Sequence, residues 1–266
     1  DDRLATSASA NGVIVAGDSV HAQSVVLVTA RTVIGAGQAS QLVTCAGGGS
    51  AIFSASGGSG GSLGNGVLDA GEVYAIDFFG CRSSSGSARV TGELTLTVNA
   101  ASGNDHSVTT DADLTVELPQ RVLGFDGSSN LTHTEVTNGP TRVVTDRWTS
   151  PSISVTSFRN GRYTRLSLTD VDLTHRVTTT NGTVTDISDE GHLTMSYDGW
   201  AGNWSATIST EGPVRFNVDG VPLSGLWRIA LPHQLVMLEV LNEAARATLP
   251  GRVLLWPILV LASLAD

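Results

Sequence analysis

Several residue patterns in this chain could carry chemistry. Gly57-Gly58-Ser59-Gly60-Gly61 spells GxSxG, but a nucleophile elbow needs a strand before it and a helix after it, whereas this copy lies in a run of glycine and serine. Asp111 with Asp113, and Asp170 with Asp172, are carboxylate pairs of the kind that glycoside hydrolysis uses. Each pair alternates with apolar residues, so both should point to solvent, where neither acid gains the desolvation that raises a catalytic pKa. Asn65, Asp69 and Glu72 match the second half of an EF-hand loop, with Gly66 at its sixth position. Gly61 and Leu63 stand where the first two carboxylates belong, so calcium is a weak candidate there and a hairpin turn the stronger expectation. The histidines, His21, His106, His133, His175, His192 and His233, show no HxH or HxxxH spacing, and no metal site is expected. Tyr197, Trp200 and Trp204 fall in SYDGWAGNWS, a hairpin whose tip could stack on sugar rings. All 15 basic residues are arginine, so P-loop, Schiff-base and Ser-Lys chemistry are excluded. The expectation is a protein with no catalytic set and no cofactor, a carboxylate-based hydrolase being the enzymatic alternative.

The elements that would position these residues are strands. Valine (29), threonine (29) and isoleucine (9) make up a quarter of the 266 residues, and another 30 are glycine. Alternation of period two runs through Leu94, Leu96 and Val98, through Leu114, Val116 and Leu118, and through Leu193, Met195 and Tyr197. In 162–177 the apolar phase is even at Leu166 and Leu168 and odd at Val171 and Leu173, which predicts a bulge near Thr169 or Asp170. Asn-Gly and Asp-Gly pairs punctuate the runs and favour tight antiparallel hairpins. The fold expected is all-β: one elongated domain over 1–266, a long-stranded antiparallel meander forming a curved half-barrel or a sandwich, with at most one short helix. Residues 234–247 fit either that helix or a buried strand. Composition shifts near 99–107 and 138–150 mark possible seams, and 47–66 reads as a long glycine-rich loop.

Cys45 and Cys81 have no second thiol nearby, which favours one disulfide and an oxidising compartment. A net charge of -10 argues against a nucleic-acid partner. The chain opens on Asp1-Asp2 without an export signal, consistent with one already removed. The apolar stretch 253–264 contains Pro257 and falls short of the roughly 20 residues a transmembrane helix needs. Its side chains Val253, Leu254, Leu255, Trp256, Ile258, Leu259, Val260 and Leu261, and Val25, Val26, Leu27 and Val28 near the start, are expected on strands, either inside their own sheet or at a contact with another copy of the chain.

Thr44-Cys45, the stretch from Asn65 to Glu72, Phe79-Gly80-Cys81 and Thr91-Gly92-Glu93-Leu94 together form a recognisable set. With Ser209-Thr210-Glu211-Gly212-Pro213, Val221-Pro222-Leu223-Ser224-Gly225 and Trp256, the chain resembles uncharacterised secreted or lipoprotein-type β-rich proteins of Gram-negative bacteria. The resemblance implies export and an all-β fold and brings no activity with it. A lipoprotein's modified cysteine does not stand at the start of this sequence. The function expected is therefore an exported structural protein, secreted, at the cell surface or in the periplasm, self-associating as a homo-oligomer or polymer in a filament or layer. The alternative is a binding module for an apolar ligand, a lipid or a glycan.

Overall fold

The structure is a computed structural model that describes residues 2–58, 63, 65–82, 88–119, 121–159, 162–199, 202–217, 222–241, 244–249 and 252–257. It opens on one long helix, α1 (Asp2–Ala36). The strands follow as β1 (Leu42–Thr44), β2 (Ser50–Gly57), β3 (Glu72–Arg82), β4 (Arg89–Ser102), β5 (Asp105–Leu118), β6 (Arg121–Asn138), β7 (Thr141–Arg159) and β8 (Arg162–Thr180). The remaining strands are β9 (Thr183–Gly199), β10 (Gly202–Thr210), β11 (Val214–Phe216), β12 (Pro222–Leu231), β13 (Gln234–Leu241), β14 (Ala244–Leu249) and β15 (Arg252–Pro257). They form one antiparallel sheet in chain order, with β11 inserted between β9 and β12. β7 and β8, at 19 residues each, are about 60 Å long at the usual strand rise.

Alternation sets the two faces. Leu94, Leu96 and Val98 of β4 and Leu114 and Val116 of β5 point inward, while the threonines and carboxylates between them point out. The sheet curls because its strands are bulged. The register of β8 against β9 shifts between Thr169 and Asp172, so Leu166, Leu168, Val171 and Leu173 all remain on the buried face, as their switch of phase predicts. Strands near both ends of the path, β1 and β3 at one and β12 and β13 at the other, touch the same helix. The sheet is therefore an open half-barrel wrapped around α1. Inside it, Trp148 lies edge-on to Phe125 and donates its indole N–H to Ser129 Oγ at 2.9 Å.

The helix corrects two expectations. It is 35 residues long where at most one short helix is expected, and it contains Val25, Val26, Leu27 and Val28, which are not on a strand. Valine-rich composition suggests β, but spacing decides: Val15, Ser19, Ala22, Val26, Ala30 and Val33 recur at helical intervals and all are buried. Val26 and Leu27 are committed to the chain's own core, and Val28 faces outward. Strands also run through most of 234–247, as β13 and β14, with Val236, Leu238 and Val240 buried. Residues 50–57, expected within a loop, form β2, where Ala51 and Phe53 supply the inward phase. Both expected seams lie within paired strands: 99–107 spans the β4–β5 turn, and 138–150 the β6–β7 turn and the start of β7.

Cys45 and Cys81 form the disulfide, with their Cα atoms 5.5 Å apart. It pins the 45–49 turn to the end of β3, where Gly47 N–H donates to Arg82 O and Arg82 N–H to Gly48 O. No described helix is long and apolar enough to cross a membrane.

Candidate functional site

Beneath α1 the register of five strands brings together residues that sequence spacing keeps apart. His106 of β5 pairs with His133 of β6, and His133 with Asp146 of β7. Asp146 in turn pairs with His175 of β8, and His175 with Asp189 of β9. The result is one transverse row, His106–His133–Asp146–His175–Asp189, on the inner face of the sheet. His106, His133, Asp146 and Asp189 are buried, and His175 nearly so.

The row is hydrogen-bonded along its length. His106 Nδ1–H donates to Asn104 O at 3.0 Å, which leaves its Nε2 as the lone-pair nitrogen, and that atom has no partner. Its ring stacks on His133 with centroids 4.8 Å apart. His133 Nδ1 donates to Asp146 Oδ1 at 2.6 Å, and His175 Nδ1 to Asp189 Oδ1 at 2.6 Å. The helix closes the arrangement from above. Ser24 donates its hydroxyl to Asp146 Oδ2 at 2.7 Å, His21 lies edge-on to His175 at 6.3 Å, and Arg121, at the start of β6, pairs with Asp18 of α1 at 3.0 Å.

Electrostatics differ along the row. Burial, reinforced by the positive charge of Arg31, pushes His106 down to about 4, so it is neutral at pH 7. Burial also pulls on His175, but the hydrogen bond and charge of Asp189 outweigh it and hold that imidazole above its ordinary value. Burial alone would raise Asp146; the hydrogen bonds from His133 and Ser24 outweigh it and keep the carboxyl below its usual range.

These directions fix a pH dependence. The unfolded chain takes up a proton at His106 near pH 6.5 and the folded chain only near 4, so stability falls as pH drops through that window, by up to about 3 kcal/mol. His175 has the opposite sign: its contribution is present below pH 6.5 and is lost as pH rises through its raised folded-state value. Urea midpoints measured from pH 7 to pH 4 should fall steeply in the wild type and markedly less in His106→Gln.

The order of groups limits the chemistry. A nucleophilic serine needs an imidazole between it and the carboxylate, and here Asp146 stands between Ser24 and His133. The contact is a clasp joining helix to sheet. Among the described residues no three histidine, cysteine, aspartate or glutamate side chains converge as metal ligands.

The residues singled out by sequence are placed elsewhere. Asn65 accepts the Val67 N–H at 2.8 Å and donates to Asp69 at 3.0 Å. Glu72, buried, accepts from the Asp69 N–H at 2.8 Å and from the Tyr74 hydroxyl at 2.6 Å, so these oxygens already hold a turn together. Tyr197 and Trp204 are directly paired across β9 and β10 and stack on each other, with centroids 5.6 Å apart. One face of each ring is taken up by the other, Tyr197 is buried and Trp204 half-buried; Trp200 lies outside the described residues. Val253, Leu254, Leu255 and Trp256 are on β15, whereas Ile258, Leu259, Val260 and Leu261 lie outside the described residues. Asp111 accepts from Ser128, and Asp172 takes a two-point bond from Arg147, both on the outer face.

The His–Asp row is absent from the sequence expectations because its members come from different strands. A signal was present in the phase: His133 follows Leu131 by two, Asp146 precedes Trp148 by two and His175 follows Leu173 by two, each a polar residue in the buried register. Comparison with known protein families, characterised proteins and solved structures returns no match.

Proposed function

We propose that this is an exported, non-enzymatic structural protein whose copies associate edge to edge, as subunits of a filament or layer outside the cytoplasm. The observation that carries this reading is β15. It pairs with β14 from Leu249↔Arg252 to Ala244↔Pro257, and no other described strand pairs with it. Its sequence, Arg252 to Pro257 (RVLLWP), carries one charge, at its start, and no internal proline. At the other end of the sheet β1 is only three residues long, the usual way of blunting an edge. A six-residue edge that is apolar after its first residue is a template for main-chain pairing with another copy. The Cys45–Cys81 bridge supports an oxidising setting.

Light scattering on the purified full chain tests this. The wild type should show mass above 27.5 kDa that rises with concentration. Val253→Lys with Leu255→Lys, which places charge on alternate positions of the edge, should weaken association by at least about tenfold with unchanged circular dichroism. A wild type that stays monomeric at high concentration overturns the reading, as does unchanged association of a folded double variant.

A further inference from the structure

We propose that α1 is a releasable plug, and that the transverse His–Asp row beneath it is the latch that lets the helix leave the half-barrel on mild acidification while the sheet stays intact. This does not depend on edge-to-edge assembly.

The inference rests on what faces what across the helix–sheet boundary. From α1 come Asp18, His21, Ser24 and Arg31; from the sheet come His106, Arg121, His133, Asp146, His175 and Asp189. At neutral pH the helix is held by its buried apolar face, which includes Val15, Val20, Val26, Leu27, Val33 and Ile34, and by polar contacts that include Ser24 on Asp146 and Asp18 on Arg121. At two other places a base on the sheet lies near a base on the helix, His106 by Arg31 and His175 by His21. Protonating His106 sets a new buried cation against Arg31, and protonating His21, an exposed residue of α1, sets a cation beside His175, which Asp189 already keeps charge-prone. Acid therefore creates like-charge repulsion across the boundary at both ends of the row. Asp146 stays ionised through this range, but its charge is shared by His133, and it reaches the helix through one neutral hydroxyl.

Among the described residues the other elements packed on α1 offer no compensating carboxylate, since Asp77 of β3 is exposed. β1 and β10 carry no titratable side chain, Arg228 of β12 is exposed and Glu239 of β13 pairs with Arg246. Glu72 of β3 is taken by Tyr74 and the Asp69 N–H.

A second, independent observation offsets part of the cost of exposing that apolar face. Ser19 Oγ and Gln23 Nε2, one turn apart on α1, are buried without partners. Each such group forfeits a hydrogen bond it would have in water, and recovers it when the helix undocks. The sheet does not need the helix for its own main-chain bonding, since each of its strands pairs with a neighbouring strand.

The test follows the full chain, disulfide intact, from pH 7 to pH 4. Hydrogen exchange, corrected for its intrinsic pH dependence, should show α1 amides losing protection before those of β6, β7 and β8, and a dye for apolar surface should brighten several-fold while the β-sheet dichroism persists. His21→Gln with His106→Gln should move that transition down by at least about one pH unit. Should the double variant fail to fold, Arg31→Gln, which removes the helix-borne charge facing His106, should shift it in the same direction. Simultaneous loss of helix and sheet protection overturns the proposal, as does a wild type with no transition above pH 4. A transition unmoved in whichever of these variants folds overturns it too.

Discussion

Replacing Asp146 with alanine should destabilise the protein by about 3 to 5 kcal/mol, the range for losing two hydrogen bonds to one buried carboxylate. Asp146 occupies the centre of the row, with one oxygen on the His133 imidazole and the other on the Ser24 hydroxyl. Alanine leaves both donors without an acceptor at a buried position, so the loss includes stranded groups as well as missing bonds. Asparagine separates the contributions. Its carbonyl can still accept from His133 and its amide can point to Ser24, so it should cost only about 1 to 2 kcal/mol. Urea unfolding at pH 7 of the wild type and both variants checks the order. Equal losses for alanine and asparagine would mean that charge, and not hydrogen bonding, fixes this site; a loss below about 1 kcal/mol for alanine would mean that the site is open to water.

The meander was legible because one strand repeats one rule. Where every second residue is apolar, as at Leu94, Leu96 and Val98, side-chain direction gives the strand, and where an Asn-Gly pair stands, as at Asn138-Gly139 and Asn181-Gly182, turn sterics give the hairpin. The bulge in β8 was legible for the same reason, as a break in an otherwise regular count. The helix was not, because Val25, Val26, Leu27 and Val28 are strand formers by type and only tertiary enclosure makes them helical. A helix surrounded by a curled sheet also buries residues on most of its circumference, which blurs the single apolar stripe that would announce it. The candidate site was hidden by distance along the chain. His106 and Asp189 are linked through pairings among β5, β6, β7, β8 and β9, and no local spacing encodes that product of four registers.

Register itself can be tested at Gly191, where any side chain should cost about 3 kcal/mol or more. Gly191 lies opposite Leu173 at the bulge, with φ at 134°, a conformation that L residues avoid. A Cβ there would fall 2.0 Å from Asp172 O and 3.0 Å from Leu173 Cα, both main-chain atoms that cannot rotate away. Gly139, in the β6–β7 turn, supplies the control: its φ of 58° is also left-handed, but a Cβ would meet nothing within 4 Å. Gly139→Ala should therefore cost only the backbone penalty of about 1 to 2 kcal/mol. The excess at Gly191→Ala measures the close approach of β8 to β9. Relief of that clash requires the strands to separate or slip, and a one-residue slip of β9 would turn Asp189 from the inner face to the outer and strand His175. Gly191→Ala should thus also erase the alkaline loss of stability that the His175–Asp189 pair imposes, because a pair already broken at neutral pH has nothing left to lose. Equal costs at the two glycines, with that alkaline limb intact, would show that the bulge tolerates a side chain and that the row is held by something other than strand register.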